Sequence, residues 1–335
     1  MKRVWVLMLL LALGLALVAA ARATGIFFYD DFEDGNDNGW VQVDRYWHVR
    51  GGRYHLDGGY MPGADSRDGF SFTHVGDPAW TDYVFEFTFD TTNAPSEYNP
   101  DWENTMHVHQ TFAAFRVIEA KHTEYRLSMW VPGDPGSNTC VEKYFYTNRP
   151  VWTVCTEPSA VLGTNIGKVI VEGGHIQVYI NGKLAIDYTD PDSEPIPYGG
   201  VGLGALWEVN AWFDNVRVTP ILSAMVNLDP AVLNLQSKGQ WVTTYIELPD
   251  GYNVADIDVS TVMLEGTISA EDHPTTLGDY DGDGIADLMV KFNCQALIER
   301  LVGTTGEVTL TVSGELNDGP AFAGSDTILV IYHKK

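Results

Sequence analysis

Apolar residues recur at every second place through much of this chain, the period of strands whose two faces meet different surroundings. The clearest run is Tyr83-Val84-Phe85-Glu86-Phe87-Thr88-Phe89, which would line one face with aromatics and leave Val84, Glu86 and Thr88 on the other. Lys168 to Glu172 alternates less cleanly, and Gly173-Gly174 follows it as a turn. Next come His175 to Ile180 and Lys183 to Tyr188, separated by Asn181-Gly182. Asn-Gly tolerates the positive φ of a type I′ turn, so this stretch predicts a tight hairpin. From Thr91 to His109, acidic and aromatic residues mix without a period. Pro95 and Pro100 block regular pairing there, which predicts a long loop.

The pattern changes near Thr219-Pro220. Before it the chain is rich in Trp, Tyr and Gly; after it Val, Thr, Leu and Asp dominate. The second half predicts short strands at Trp241 to Leu248, Val262 to Glu265, Leu288 to Phe292, Val308 to Val312 and Thr327 to Tyr332. One helix is predicted among them, with Asn293 as N-cap, Gln295 to Val302 as its body and Gly303 as its stop. The pattern is that of an all-β protein with two domains, residues 24–220 and 221–335, the second carrying one short helix.

The first residues bear on where the chain works. Lys2 and Arg3 precede an almost wholly apolar run from Val4 to Ala20, which ends in the small-x-small signal Ala21-Arg22-Ala23. This predicts a signal peptide over 1–23, cleaved before Thr24. The alternative is an uncleaved anchor, for which the run is short. The expected product is extracytoplasmic, in the periplasm or secreted. Its remaining length, about 310 residues, exceeds one ordinary sandwich.

A formal charge of −25 makes nucleic acid and anionic membranes poor partners and suits divalent cations. Of three cysteines, Cys140 and Cys155 can clamp one hairpin in an oxidising compartment, closing a loop worth about 3 kcal/mol in the chain-entropy account. Cys294 is left over, as a buried apolar thiol.

Three segments of the first half carry a resemblance. Tyr29-Asp30-Asp31-Phe32-Glu33-Asp34-Gly35, with Gly39-Trp40 and Trp47 to Tyr54, resembles the opening strands of concanavalin-like jelly rolls, the fold of lectins, laminin-G-like modules and glucanases. The Ile176 to Tyr188 hairpin resembles their late central hairpin. Gly199 to Leu203 and Ala211 to Val218 resemble their closing strands. The resemblance implies a curved two-sheet sandwich with a glycan-binding concave face, and a structural calcium held by Glu33 and Asp214. The other reading of those two acids is of solvated strand ends.

In jelly rolls of this type the central strands cross the concave face, so the resemblance places Arg116, Tyr125 and Arg126 there. Trp102 and Trp130 are possible walls for stacking on sugar rings. The alternatives are arginines paired with surface acids and tryptophans in the core. The Glu-x-Asp-x-x-Glu motif of glucanases is absent. Glu86, Asp90, Glu119 and Glu124 could meet across strands, but no spacing selects them. Domains that act on 3-keto-glycosides share the same opening and closing segments, which keeps a hydrolase or lyase open. In His107-Val108-His109, with Glu103 and His122 near in sequence, the two histidines would share a face on a strand and could hold zinc, or they lie on the surface of an aromatic loop.

The strongest local motif lies in the second half: Gly278-Asp279-Tyr280-Asp281-Gly282-Asp283-Gly284-Ile285-Ala286-Asp287. Carboxylates at positions 1, 3, 5 and 9, with glycine at 6 and the Ile285 carbonyl at 7, can wrap one calcium ion. An EF-hand would put Glu at position 12, where Val290 stands, and a strand follows instead of a helix. The loop therefore resembles the calcium hairpins of integrin-type and FG-GAP-type repeats. Without a bidentate glutamate its predicted affinity is modest, suited to millimolar extracellular calcium.

Three functions remain open: a non-catalytic binder of polysaccharide, an enzyme on a glycoside, and a surface or matrix protein with protein partners. No catalytic residue is singled out. The residues single out calcium as the one cofactor.

Overall fold

The computed structural model describes residues 25–43, 47–56, 70–91, 110–121, 123–130, 137–145, 150–206, 211–317 and 319–332. The expected signal segment, residues 1–23, and Trp102, Glu103, His107, His109 and His122 lie outside the described residues. The chain divides into two compact units, Ile26–Pro220 and Ile221–Lys335.

In the first unit the strands run β1 (Phe28–Asp30), β2 (Val41–Gln42), β3 (Trp47–Val49), β4 (Tyr54–Leu56), β5 (Phe70–Val75), β6 (Tyr83–Thr91), β7 (Gln110–Ile118) and β8 (Thr123–Trp130). They continue as β9 (Thr139–Phe145), β10 (Trp152–Thr156), β11 (Gly163–Glu172), β12 (His175–Ile180), β13 (Lys183–Thr189), β14 (Gly200–Leu206) and β15 (Ala211–Ser223).

Two antiparallel sheets form. One has the order β13-β12-β11-β6-β15, with β1 and β4 also on β15 and β3 on β4. The other has seven strands in the order β10-β9-β8-β7-β14-β5-β2. Between them lies one aromatic-rich core. Tyr83, Phe85, Phe87 and Phe89 all face it, as the alternation predicts. Glu86 takes the other face, near Lys168 and Arg217. The β12–β13 hairpin turns on Asn181 and Gly182, with φ of 53° and 75°, the conformation that Asn-Gly predicts.

The second unit has β16 (Met225–Asp229), β17 (Val232–Asn234), β18 (Trp241–Glu247), β19 (Ile257–Leu264), β20 (Ile268–Ser269), β21 (Thr276–Gly278) and β22 (Asp287–Asn293). The helix α1 (Cys294–Arg300) follows, then β23 (Gly306–Leu316) and β24 (Ala321–Ile331). One sheet runs β24-β23-β19-β20, joined on β24 by β17 and by residues 221–223 of β15, both in parallel register. The other runs β16-β18-β22-β21. A second apolar core fills the space between them.

The Asn293 side chain accepts the Ala296 N–H at 3.0 Å and caps α1, a contact worth about 1 kcal/mol. Cys294, Leu297 and Ile298 are buried, and Cys294 is a free thiol. Burial pushes that thiol above its ordinary pKa. No helix among the described residues is long and apolar enough to cross a membrane.

Candidate functional site

Strand alternation puts Glu124, Arg126, Ser128 and Trp130 of β8 in one row on the outer face of the seven-stranded sheet. Across β7 they meet Ala114, Phe112 and Gln110; across β9 they meet Tyr144, Glu142 and Cys140. Arg126 is the centre of this row. Its guanidinium carbon sits 4.7 Å from the Phe112 ring centroid and 4.1 Å from that of Tyr144. Its Nη2 and Nε reach Glu124 Oε1 at 2.6 and 2.8 Å. A guanidinium between two rings gains cation–π attraction, and the carboxylate satisfies its donors. Ser128 donates to Glu142 at 2.7 Å. Burial pushes the Tyr144 phenol up to about 12, so it stays neutral. Glu124 and Arg126 are buried, while Trp130 and Glu142 are half-buried.

Two glycines let the aromatic part of this face form. A Cβ on Gly204 of β14 would stand 2.0 Å from the Phe112 ring, and one on Gly202 would stand 2.6 Å from Phe72. Without side chains there, both rings lie flat across β14, stacked with centroids 5.9 Å apart.

Two expected face residues point elsewhere. Arg116 should share a face with Ala114 and Arg126, but the β7–β8 register shifts between Phe115 and Ile118, and Arg116 adopts a φ of 54°. That bulge turns its side chain inward. There, fully buried, it donates to the Ile196 carbonyl at 3.0 Å and pairs with Asp82 at 2.9 Å. Tyr125, one residue from Arg126, faces the core and stacks on Phe115. Its hydroxyl donates to Asp190, which also accepts from Trp152 Nε1 at 3.1 Å and pairs with Lys143 at 2.8 Å. Burial first, then Asp190, raises the Tyr125 pKa. Both side chains are fully buried and bonded within the protein, off the outer face of the sheet.

The other candidate acids of this unit separate. Glu86 and Asp90 stand on β6, in the sheet opposite Glu124. Glu119 lies 3.7 Å from His74. Glu33 and Asp214 share a neighbourhood with Asp31 and Arg53. Burial raises the Asp214 pKa most; the Asn215 N–H and Arg53 lower it, and Glu33 and Asp31 raise it again. Among the described residues no third His, Cys, Asp or Glu joins Glu33 and Asp214 at metal-ligand distance. Cys140 and Cys155 form a disulfide across β9 and β10.

In the second unit the acidic loop folds back on itself. Asp279 accepts the N–H groups of Gly282 and Gly284 at 2.7 and 3.1 Å, Asp281 that of Asp283, and Asp283 that of Ile285. Gly282 and Gly284 take φ of 78° and 94°, which suits glycine alone at low cost. Two overlapping groups have oxygens within 4.8 Å of one another: Asp279, Asp281 and Asp287, and Glu247, Asp281 and Asp283. The donor set is oxygen throughout, the chemistry that calcium prefers, and the expected residues Asp279, Asp281, Asp283 and Asp287 all take part.

Sequence reasoning missed Glu247. It stands on β18 directly opposite Asp287, and Tyr245, two places before it, stacks on Tyr280 of the loop. Burial, then Asp283, Asp281, Asp287 and Asp279, raises the Glu247 pKa. The only local signal was a glutamate at the end of an otherwise Val-, Thr- and Tyr-rich strand.

No model of a known protein family matches the chain, and no curated protein matches it. Among solved structures it is similar to a carbohydrate-binding module from Bacillus subtilis, at 19% identity over 55% of this chain and 97% of that one, with a TM-score of 0.40. It is also similar to a β-glucanase from Bacillus licheniformis, at 11% identity over 57% and 97%, TM-score 0.42. A galectin from Caenorhabditis elegans aligns at 12% identity over 49% and 95%, TM-score 0.32.

Proposed function

We propose that this is a secreted, non-catalytic carbohydrate-binding protein. Its first domain takes a polysaccharide on the outer face of the seven-stranded sheet, and calcium stabilises its second. The observation that carries the reading is the row Glu124, Arg126, Ser128 and Trp130, flanked by Phe112, Glu142 and Tyr144. A sugar presents a face of C–H groups and an edge of hydroxyls. Aromatic faces suit the first, and fixed charged groups suit the second. Half-buried Trp130 and Glu142 are the side chains that a chain of sugars would meet first. The Cys140–Cys155 bond supports an oxidising compartment, and the apolar start supports export. The oxygen donors of the Asp279 to Asp287 loop, with the Ile285 carbonyl, support calcium there.

The test is depletion of the full chain from solution by a panel of insoluble polysaccharides in millimolar calcium. Retention by one polymer, lost in Trp130→Ala, supports the reading; no retention on any polymer overturns it.

One observation favours a second reading. Glu124 and Glu142 are diagonal neighbours on one sheet face, and most glycosidases work with two carboxyls a few ångströms apart. Release of reducing sugar that Glu142→Gln abolishes at unchanged Tm would establish an enzyme.

A further inference from the structure

Glu247 sits where a carboxylate is costly. It lies on the face of β18 that also carries Thr243 and Tyr245, turned away from the core that Val242, Thr244 and Ile246 line. On that face a glutamate would ordinarily reach water. Here only 7% of it is exposed. Its carboxylate has no hydrogen-bond or ion-pair partner among the described residues. One of its oxygens instead lies within 4.8 Å of oxygens of Asp281 and Asp283, and Asp287 stands directly opposite on β22.

A carboxylate with no partner of opposite charge, set beside like charges, is unfavourable. The loop is nonetheless held in this position, because Tyr280 stacks on Tyr245 with centroids 3.7 Å apart. The free carboxylate therefore points into the acidic cluster with nothing on the protein side to neutralise it. A cation accounts for all three facts: the burial, the missing partner and the convergence of acids.

We infer that Glu247 is a calcium ligand contributed by the sheet, taking the role of the glutamate that the loop lacks at its twelfth position. This rests on the calcium reading of the loop and extends it. With Glu247 the site gains a carboxylate with both oxygens uncommitted, whereas Asp279 already spends both of its oxygens on Gly282 and Gly284. The ion then binds strand and loop together rather than the loop alone. The affinity is accordingly higher than the loop motif by itself would give, since affinity in such sites follows the count of charged ligands and their rigidity.

The experiment is calorimetric titration of the full chain with calcium chloride, for wild type, Glu247→Gln and the loop control Asp283→Asn. The melting temperature of each is also taken in chelator. Wild type binds one calcium per chain, and Glu247→Gln binds roughly a hundredfold more weakly. In chelator Glu247→Gln melts at or above wild type, because it has lost a negative charge that stands among other carboxylates. Wild-type affinity in Glu247→Gln, with weakened binding in Asp283→Asn, overturns the role of Glu247 and leaves the calcium loop standing. A wild type that binds no calcium overturns both. A Glu247→Gln protein that melts several degrees below wild type in chelator also overturns the inference, since the carboxylate would then be stabilising without an ion.

Discussion

The ring of Tyr280, in the acidic loop, lies on the ring of Tyr245, on β18, with planes 12° from parallel. The pair fastens an otherwise exposed loop to the sheet beside the candidate cation site. Stacked pairs contribute about 1 kcal/mol beyond the area they bury. Tyr245→Ala should therefore weaken calcium binding about fivefold, while Tyr245→Phe keeps wild-type affinity. Equal affinities in a titration of the two variants would show that the stack does not position the loop.

Removing calcium should lower the melting transition of the second domain. An ion present at a hundred times its dissociation constant adds about 2.7 kcal/mol, on the order of ten degrees for a domain of this size. Calorimetric scans with and without chelator measure the shift. A melting curve that chelator leaves in place would remove calcium from the account.

The proposed glycan face and the core beneath it should respond oppositely to mutation. Trp130→Ala should reduce retention on the bound polysaccharide at least about tenfold, with the melting temperature nearly unchanged. Tyr125→Phe leaves Asp190 short of one donor and should cost about 1–3 kcal/mol of stability while polysaccharide retention persists. If retention instead follows Tyr125 and ignores Trp130, the outer face of the sheet is not where the ligand sits.

Replacing both Cys140 and Cys155 by serine should lower the stability of the first domain by about 3 kcal/mol, the entropy of the loop that the bond closes. Thermal melting of this variant beside wild type measures it. Identical melting temperatures would mean that the β9–β10 pairing alone holds this end of the sheet.

What could be read from the sequence was local. Tyr83 to Phe89 declares its faces because each residue's side follows from its neighbours, and Asn181-Gly182 and Asn293 act within a turn or a cap. Arg116 leaves the face where alternation puts it for a related reason: alternation assumes an unbroken register, and one bulge puts the guanidinium inside. Tyr125 and Arg126 are adjacent and so necessarily point opposite ways; sequence could not say which of them faces out. The strands β17, β20 and β21 went unseen because two or three residues carry no period, whereas β16 does alternate and was overlooked. Thr276–Gly278 is exposed throughout and is a strand only through its partner β22. Glu247 was missed because it joins the loop by pairing across strands far apart in sequence, which no motif encodes.

Asp190 has a mechanical consequence for the first domain. Its carboxylate, closed off from solvent, gathers Tyr125 from β8, Lys143 from β9 and Trp152 from β10. Peeling away any one of those strands would strand a charge in an apolar interior, so the intermediate is worse than either end state. The end of this sheet should open all together or not at all. Its backbone amides would then exchange with solvent only as fast as the whole domain unfolds.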